Sequence, residues 1–390
     1  MLWCCNWNKN EKFSTIADRY ISFCKSLDID TIVFDGYQSS TKDVTHSSRS
    51  VKISQNVIVS NDVSCPADKI EFLSNYSNKA EFIDFLANAL KSNGFRVVQC
   101  TSDADTTIVK TALDIVGLPV IILADDTDIL CLLLHHIYFN SRNSKVYLKS
   151  MKTSKDTDSR VCYYIPDVIK ALDNSVIEYI LFAHAFCGSD TTSVIYNFGK
   201  TSILSKLMRN CDLRSIAEQF YTDEMSPNEV GELSIRFFKQ IHSPTGTLQQ
   251  TRKQKYDDMV STDRTKIDPA LLPPSPRAAY YHGLRVYHQV LVWKSLANTD
   301  INPLIWGWKL VDGKHFPIPT DVEAGPPDIL KIVRCGCKGN CGKRCSCRKA
   351  GLNCASACKE CHGITCSNVP DIEPESDTTD RNFMDIFDNF

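Results

Sequence analysis

An α/β architecture on a parallel sheet is what the first 212 residues predict, and three observations predict it. Short apolar, β-branched runs at Thr31 to Phe34, Arg96 to Cys100 and Pro119 to Ala124 recur with room for a helix between them. Segments with apolar residues at helical spacing fill the intervals. The run Pro119 to Ala124 is apolar throughout instead of alternating, the pattern of a strand covered on both faces of a parallel sheet. Such alternation of strand and helix defines the α/β class.

The elements follow in order. Ile16, Tyr20, Ile21 and Cys24 recur at helical intervals within Ser14 to Lys25, and Asp28 to Asp30 lead into the first strand. Residues 38–66 are rich in Ser, Thr and Asn and read as loop. Lys79 to Asn93 is an amphipathic helix that stops before Gly94, Arg96 to Cys100 resumes a strand, and Thr106 to Val116 fits a helix. Lys145 to Ser150 and Arg160 to Ile165 read as a strand pair joined by a polar loop, and Pro166 opens a helix to Asp173. Beyond residue 212 the alternation fades. A polar stretch, Ser243 to Ser275, with Pro273, Pro274 and Pro276, separates two helical patterns and marks an expected boundary. Arg277 to Leu296 then carries Tyr280, Tyr281, Leu284, Tyr287, Val290 and Leu291 on one face, followed by Trp306 and Trp308. Core packing is the expected use of these aromatics, with nucleic-acid stacking as the alternative. The division expected is 1–212 as the α/β domain, 213–330 as a helical and linker region, 331–368 as a cysteine-rich module and 369–390 as a tail.

At 390 residues the chain has room for two or three folded units, and 43% hydrophobic with 23% charged residues is ordinary for a globular protein. Its longest apolar stretches, Val116 to Ala124 and Ile129 to Leu134, are broken by Asp or His well before the ~20 residues of a membrane span. No membrane segment is expected. Met1 to Asn10 lacks a basic segment followed by an apolar one, so a thiol-reducing compartment is expected.

Nine of the 18 cysteines crowd into Cys335 to Cys366, and that density predicts a metal site. The others (Cys4, Cys5, Cys24, Cys65, Cys100, Cys131, Cys162, Cys187 and Cys211) show no ligand spacing and read as small buried apolar residues. The block comprises Cys335, Cys337, Cys341, Cys345, Cys347, Cys354, Cys358, Cys361 and Cys366. Three tetrahedral zinc ions need twelve ligand positions, which nine thiolates supply if three of them each bridge two metals. Eight Lys or Arg against Glu360 between residues 331 and 366 outweigh the cluster's residual negative charge by about four units, a balance suited to phosphate. His362 is a further candidate ligand or a solvated side chain.

The spacing, together with Cys345-Ser-Cys347-Arg348-Lys349-Ala350-Gly351-Leu352, resembles the CXC domain of the tesmin family, a short zinc-cluster module that binds DNA. The resemblance implies about three zinc ions held by the nine cysteines and DNA contact through Arg344, Arg348 and Lys349. Arg344 stands where that family often has Tyr, and Cys361 and Cys366 are spaced differently. Zinc that only holds a protein-interaction module is the alternative.

Acidic clusters stand beside expected strand ends and helix starts: Phe34-Asp35-Gly36, Asp103-Ala104-Asp105, Asp125-Asp126-Thr127-Asp128 and Gly188-Ser189-Asp190. In open parallel sheets ligands collect at the carboxyl ends of strands. Converging carboxylates repel unless neutralised, so such a cluster implies divalent cations. Taken singly, each Asp is equally at home as a cap or turn residue.

In this order the clusters resemble the flap endonuclease and XPG nucleases of the PIN-like group, over residues 11 to 212. The resemblance implies a three-layer PIN-like domain in which Asp35, Asp103, Asp105, Asp126, Asp128 and Asp190 hold Mg²⁺ or Mn²⁺. Lys42 and Arg49 would engage the scissile phosphate, and Gly199 with Lys200, in Asn197-Phe198-Gly199-Lys200, would lie in a turn gripping duplex backbone. The family's opening strand, with its own Asp, has no counterpart before the first helix here, Asp stands for Glu at 103 and 105, and Asn197 replaces a turn Gly.

The tail turns acidic after Cys366, with Phe383, Met384, Ile386, Phe387 and Phe390 interleaved among Asp and Glu. It is expected to be disordered when free, either solubilising or binding a protein partner. The function expected is a metal-dependent, structure-selective nuclease acting on branched or flap-containing DNA in the nucleus, targeted by its zinc module. A catalytically inactive chromatin-binding or protein-interaction scaffold is the alternative.

Overall fold

A computed structural model describes residues 2, 4–36, 41, 55–100, 104–140, 145–153, 160–243, 245–261, 271–296, 301–322, 334–338, 340–354, 358–363 and 366–368. The architecture is α/β, with parallel strand pairs, packed helices and a cysteine-rich C-terminal cluster.

Helix α1 (Phe13–Ser26) buries Phe13, Ile16, Ala17, Tyr20, Ile21 and Cys24, the stripe its helical spacing predicts. Strand β1 (Thr31–Phe34) follows. Asp68 caps α2 (Lys69–Ser74), and Asn75 caps α3 (Tyr76–Ser92) by accepting from the Asn78 backbone N–H. Strand β2 (Arg96–Gln99) then returns parallel to β1, with Thr31 opposite Arg96 and Phe34 opposite Gln99. A first core gathers around these elements, in which Trp7, Phe13, Phe72 and Phe82 meet edge to face or tilted.

Helix α4 (Ala104–Leu113) leaves β2 for β3 (Val120–Leu123), and on the way it packs against β1 as well as β3. It thereby joins the first core to a second. Strand β3 pairs parallel with β4 (Val146–Thr153) across helix α5 (Thr127–Asn140), and β4 pairs antiparallel with β5 (Arg160–Tyr164). Helix α6 (Ile165–Ala171) has Pro166 in its first turn, as expected. The expectation that Pro119 to Ala124 is covered on both faces needs correction. Within β3 only Ile122 is buried, and Ile121 is 60% exposed. Successive side chains point to opposite faces, so one face of β3 packs inward through Ile122 while the face that carries Ile121 is left open to solvent.

Next come α7 (Asn174–Glu178), α8 (Ile180–Cys187), α9 (Lys200–Arg209), α10 (Cys211–Gln219), α11 (Pro227–His242), α12 (Leu248–Ser261) and α13 (Pro276–Ser295). Helix α8, Ile-Leu-Phe-Ala-His-Ala-Phe-Cys, is buried on every side and forms the axis of the second core. Ser226 and Glu229 close a reciprocal capping box on α11, and Ser275 caps α13. The polar stretch Ser243 to Ser275 does not separate two units: α11 and α13 flank it and pack directly on each other. Their contact is closer than ordinary side chains permit. A Cβ on Gly283 would lie 2.2 Å from the Ser234 Cβ, and one on Gly231 would lie 2.0 Å from the Tyr280 ring. The second core therefore runs across residue 212, from Val109 to Trp306, and the helices beyond 212 are part of it because their apolar faces close over α8.

Tyr280, Leu284, Tyr287, Val290 and Leu291 of α13 are buried as expected, and so are Trp306 and Trp308. A hairpin of β6 (Trp308–Val311) and β7 (Lys314–Pro317) closes this part. Of the scattered cysteines, Cys5, Cys24, Cys65, Cys131 and Cys187 are buried; Cys162 on edge strand β5 and Cys211 at the start of α10 are exposed, contrary to expectation. No helix among the described residues is long and apolar enough to cross a membrane. The acidic tail lies outside the described residues.

Candidate metal centres

The cysteine module is a core of sulfur atoms. Three overlapping groups of four have all their Sγ atoms within 4.8 Å of one another: Cys335, Cys341, Cys354 and Cys361; Cys335, Cys347, Cys354 and Cys358; and Cys335, Cys337, Cys341 and Cys345. Individual separations are 3.5 Å for Cys347 with Cys358, 3.7 Å for Cys335 with Cys341, 3.8 Å for Cys335 with Cys354 and 3.9 Å for Cys341 with Cys361. A disulfide would need about 2 Å. The edge of a tetrahedron with zinc–sulfur bonds of about 2.3 Å is about 3.8 Å, so the sulfurs stand at the distances of a shared metal.

Local backbone holds them there. Cys345 opens the one-turn helix α14 (Ser346–Lys349), and its thiol is pushed down to about 6, chiefly by the Arg348 backbone N–H. Burial pushes Cys347 up to about 12. Gly351, at φ +69°, turns the chain, and Leu352 N donates to the Cys347 carbonyl. Cys354 N donates to the Asn368 carbonyl, and the Asn368 amide reaches the Cys354 sulfur at 3.4 Å. Cys366 belongs to none of the three groups, although its side chain bears on Cys341, Cys354 and Cys361. His362 also lies outside them. Lys338, Lys343, Arg344, Arg348 and Lys349 are exposed around the sulfurs. Arg348 donates to Asn368 Oδ1 at 3.2 Å and to the Ser367 carbonyl at 2.7 Å, which ties down the end of the module with part of its guanidinium.

The acidic residues stand at strand ends and helix starts, except Asp190, which lies in the turn after α8. Asp35 follows β1 and accepts from the Ala104 backbone N–H at 3.2 Å, which brings the end of β1 to the start of α4. Asp105, in that first turn, is 8% exposed. Beyond β3, Asp125 accepts from Ser150 Oγ at 2.5 Å and from Met151 N at 3.0 Å, while Asp126 accepts from Asp128 N at 2.9 Å and so caps α5. Asp128 is 9% exposed, and its Oδ1 lies 2.5 Å from Nε2 of His184 on α8. Asp190 is half-buried in a turn closed by Ser189 and Thr192. Among the described residues no three carboxylates bring oxygens within 4.8 Å of one another. Lys42, Arg49 and Asp103 lie outside the described residues. Gly199 is the N-cap of α9 and Lys200 its first residue; Asn197 adopts φ +63°, a left-handed conformation that Asn tolerates better than most side chains.

Four residues that sequence reasoning passed over connect to these carboxylates directly or through a neighbour: His184, Thr191, Gln289 and Trp293. His184 is 2% exposed and stacks on Trp293, with ring centroids 5.2 Å apart and planes at 20°. Thr191 Oγ1 donates to Gln289 Oε1 at 2.6 Å. One signal was available: a histidine within an otherwise apolar helix must find a partner, because an unbonded buried polar group is costly.

No protein-family model matches the chain, and no curated protein matches it. Among solved structures the chain is similar to the catalytic core of Rad2 in complex with DNA substrate, with 15% identity over 75% of each chain and a TM-score of 0.35.

Proposed function

We propose that the protein is a metal-dependent, structure-selective nuclease that acts on branched or flap-containing DNA and is held to it by a zinc-bound C-terminal module, with residence in the nucleus. The single observation that carries the proposal is the sulfur spacing, 3.5 to 3.9 Å across overlapping tetrads, beneath a rim of exposed basic residues. With Cys366 in place of Cys335 in the first group, three tetrads form. Cys335, Cys341 and Cys354 each bridge two ions, and the other six cysteines each serve one. About three zinc ions then satisfy nine thiolates. Arg344 and Lys349 contact phosphate, and Arg348 adds the donors that Asn368 and Ser367 do not take.

The donor set at the second centre is hard carboxylate oxygen, which suits Mg²⁺ or Mn²⁺. Mg²⁺ keeps several waters and needs only one or two protein carboxylates, so three converging side chains are not required. Two of the candidates, Asp105 and Asp128, are buried, which is rare for Asp without a specific role. When bound, such ions activate water and stabilise the leaving oxygen of a phosphodiester. The chain's own part is to hold Asp35, Asp105, Asp126 and Asp128 at strand ends and helix starts and Asp190 in the turn that follows α8; Asp103 completes the ligand set, and Lys42 and Arg49 orient phosphate. Gly199 and Lys200 offer a turn and a cation to duplex backbone.

A second reading, a DNA-binding or protein-interaction scaffold without catalysis, is favoured by one observation: Asp128 is already bonded to His184. Zinc analysis of the full chain, with cleavage of flap DNA in Mn²⁺ by wild type and by the double variant Asp126→Asn, Asp128→Asn, tests both. Cleavage abolished in the variant supports the nuclease. DNA binding without cleavage supports the scaffold.

A further inference from the structure

We infer that α13, far along the chain from every acidic motif, is the positioning element for Asp128 and Asp190. The inference rests on the reading of those carboxylates as one metal centre. Gln289 and Trp293 are four residues apart on α13 and therefore share a face. Trp293 bears on Asp128 through His184, and Gln289 holds Thr191, the chain neighbour of Asp190.

Gln289 acts on Asp190. The turn Gly188-Ser189-Asp190-Thr191-Thr192 is closed locally by backbone bonds between Ser189 and Thr192 at 3.3 and 3.2 Å, and Thr192 Oγ1 donates to the Ala185 carbonyl at 2.6 Å. These bonds are local and tie the turn to the end of α8. Gly188, at φ +116°, ends α8 in a conformation that favours glycine, and a Cβ there would lie 2.9 Å from Val194. The Thr191 to Gln289 bond joins two buried side chains 98 positions apart and anchors the residue adjacent to Asp190 to a helix.

Trp293 acts on Asp128. A carboxylate only accepts, so His184 carries its proton on Nε2 and donates to Asp128 Oδ1. The other nitrogen, Nδ1, has no hydrogen-bond partner among the described residues, so polar contacts do not fix the tilt of the ring. Stacking on Trp293 fixes it. Trp293 is itself held, its carbonyl accepting from His136 Nε2 of α5 at 2.9 Å. Asp128 begins that same helix, and the circuit from α5 through α13 and α8 back to α5 is closed.

The test is Mn²⁺ titration of the full-length, zinc-loaded protein, read by the electron paramagnetic resonance signal of free Mn²⁺, with thermal melting in the absence of Mn²⁺ alongside. The double variant Asp128→Asn, Asp190→Asn defines complete loss at the centre. Thr191→Val removes the hydroxyl at constant shape and should weaken Mn²⁺ about tenfold, the scale of one buried hydrogen bond, while Thr191→Ser should restore it. Gln289→Met should match Thr191→Val, and keeps the test alive if that variant does not fold. His184→Leu should weaken binding and His184→Gln, whose amide N–H can stand in for Nε2–H, should recover it in part. Wild-type affinity in Thr191→Val and His184→Leu overturns the inference and leaves the centre standing. Equal weakening by Val and Ser at position 191 also overturns it. Identical Mn²⁺ binding by the wild type and the Asp128, Asp190 double variant overturns the metal-centre reading itself.

Discussion

The sulfur atoms of Cys347 and Cys358 stand 3.5 Å apart, too far for a disulfide and at the spacing of two ligands on one metal. Cys335 belongs to all three sulfur groups, whereas Cys337 belongs to one. Replacing Cys335 with Ser should therefore lose more than one zinc per chain, and replacing Cys337 should lose no more than one. Metal analysis of the two variants checks this. Equal losses would contradict the bridging assignment.

The approach of α11 to α13 depends on Gly283. A Cβ there would stand 2.2 Å from the Ser234 Cβ, and Ser234 is itself held by a bond to the Ala279 carbonyl at 2.7 Å, so it has no room to yield. Gly283→Ala should cost about 1–3 kcal/mol, the usual range for overpacking, and lower the melting temperature by several degrees. An unchanged melting curve would show that the helices can separate freely.

Acid should destabilise the second core. Burial holds His135 and His282 down to about 3, and His242 and His288 down to about 4, against an ordinary value near 6.5. Below pH 6.5 the unfolded chain takes up protons that the folded one refuses. The stability these neutral rings provide is thus complete above about pH 6.5 and is lost as pH falls toward 3 to 4. A melting temperature several degrees lower at pH 5 than at pH 7.5 is expected. Equal values would mean that the histidines accept protons without unfolding.

On the proposed reading, the exposed basic residues of the cysteine module should set the salt dependence of DNA affinity. Arg344→Ala and Lys349→Ala should each lower the slope of log K against log salt by about one and weaken all sequences alike. Arg348→Ala should in addition loosen the end of the module, because Asn368 and Ser367 lose their donor. Equilibrium titrations at several salt concentrations separate these effects.

Much of the fold was legible because its signals are local. The β-branched run Thr31 to Phe34, the stripe of Ile16, Tyr20 and Cys24 and the Pro166 helix start all became the elements they predict. The cysteine block was legible because its ligands crowd into 32 residues of sequence. The β6–β7 hairpin was missed although Asp312-Gly313, now at φ +49° and +76°, is a strong turn signal. Burial of β3 was misjudged because an apolar run reports the nature of a strand and not whether neighbours flank it. His184 with Asp128 and Thr191 with Gln289 lie 56 and 98 residues apart, and no periodic pattern encodes such a meeting.

The affinity of the full chain for DNA, measured across salt concentrations before and after zinc is stripped by a chelator, tests the central claim most directly. Binding that weakens linearly in log salt, disappears on chelation and returns with added zinc is the result predicted. Affinity that survives removal of the metal would contradict it.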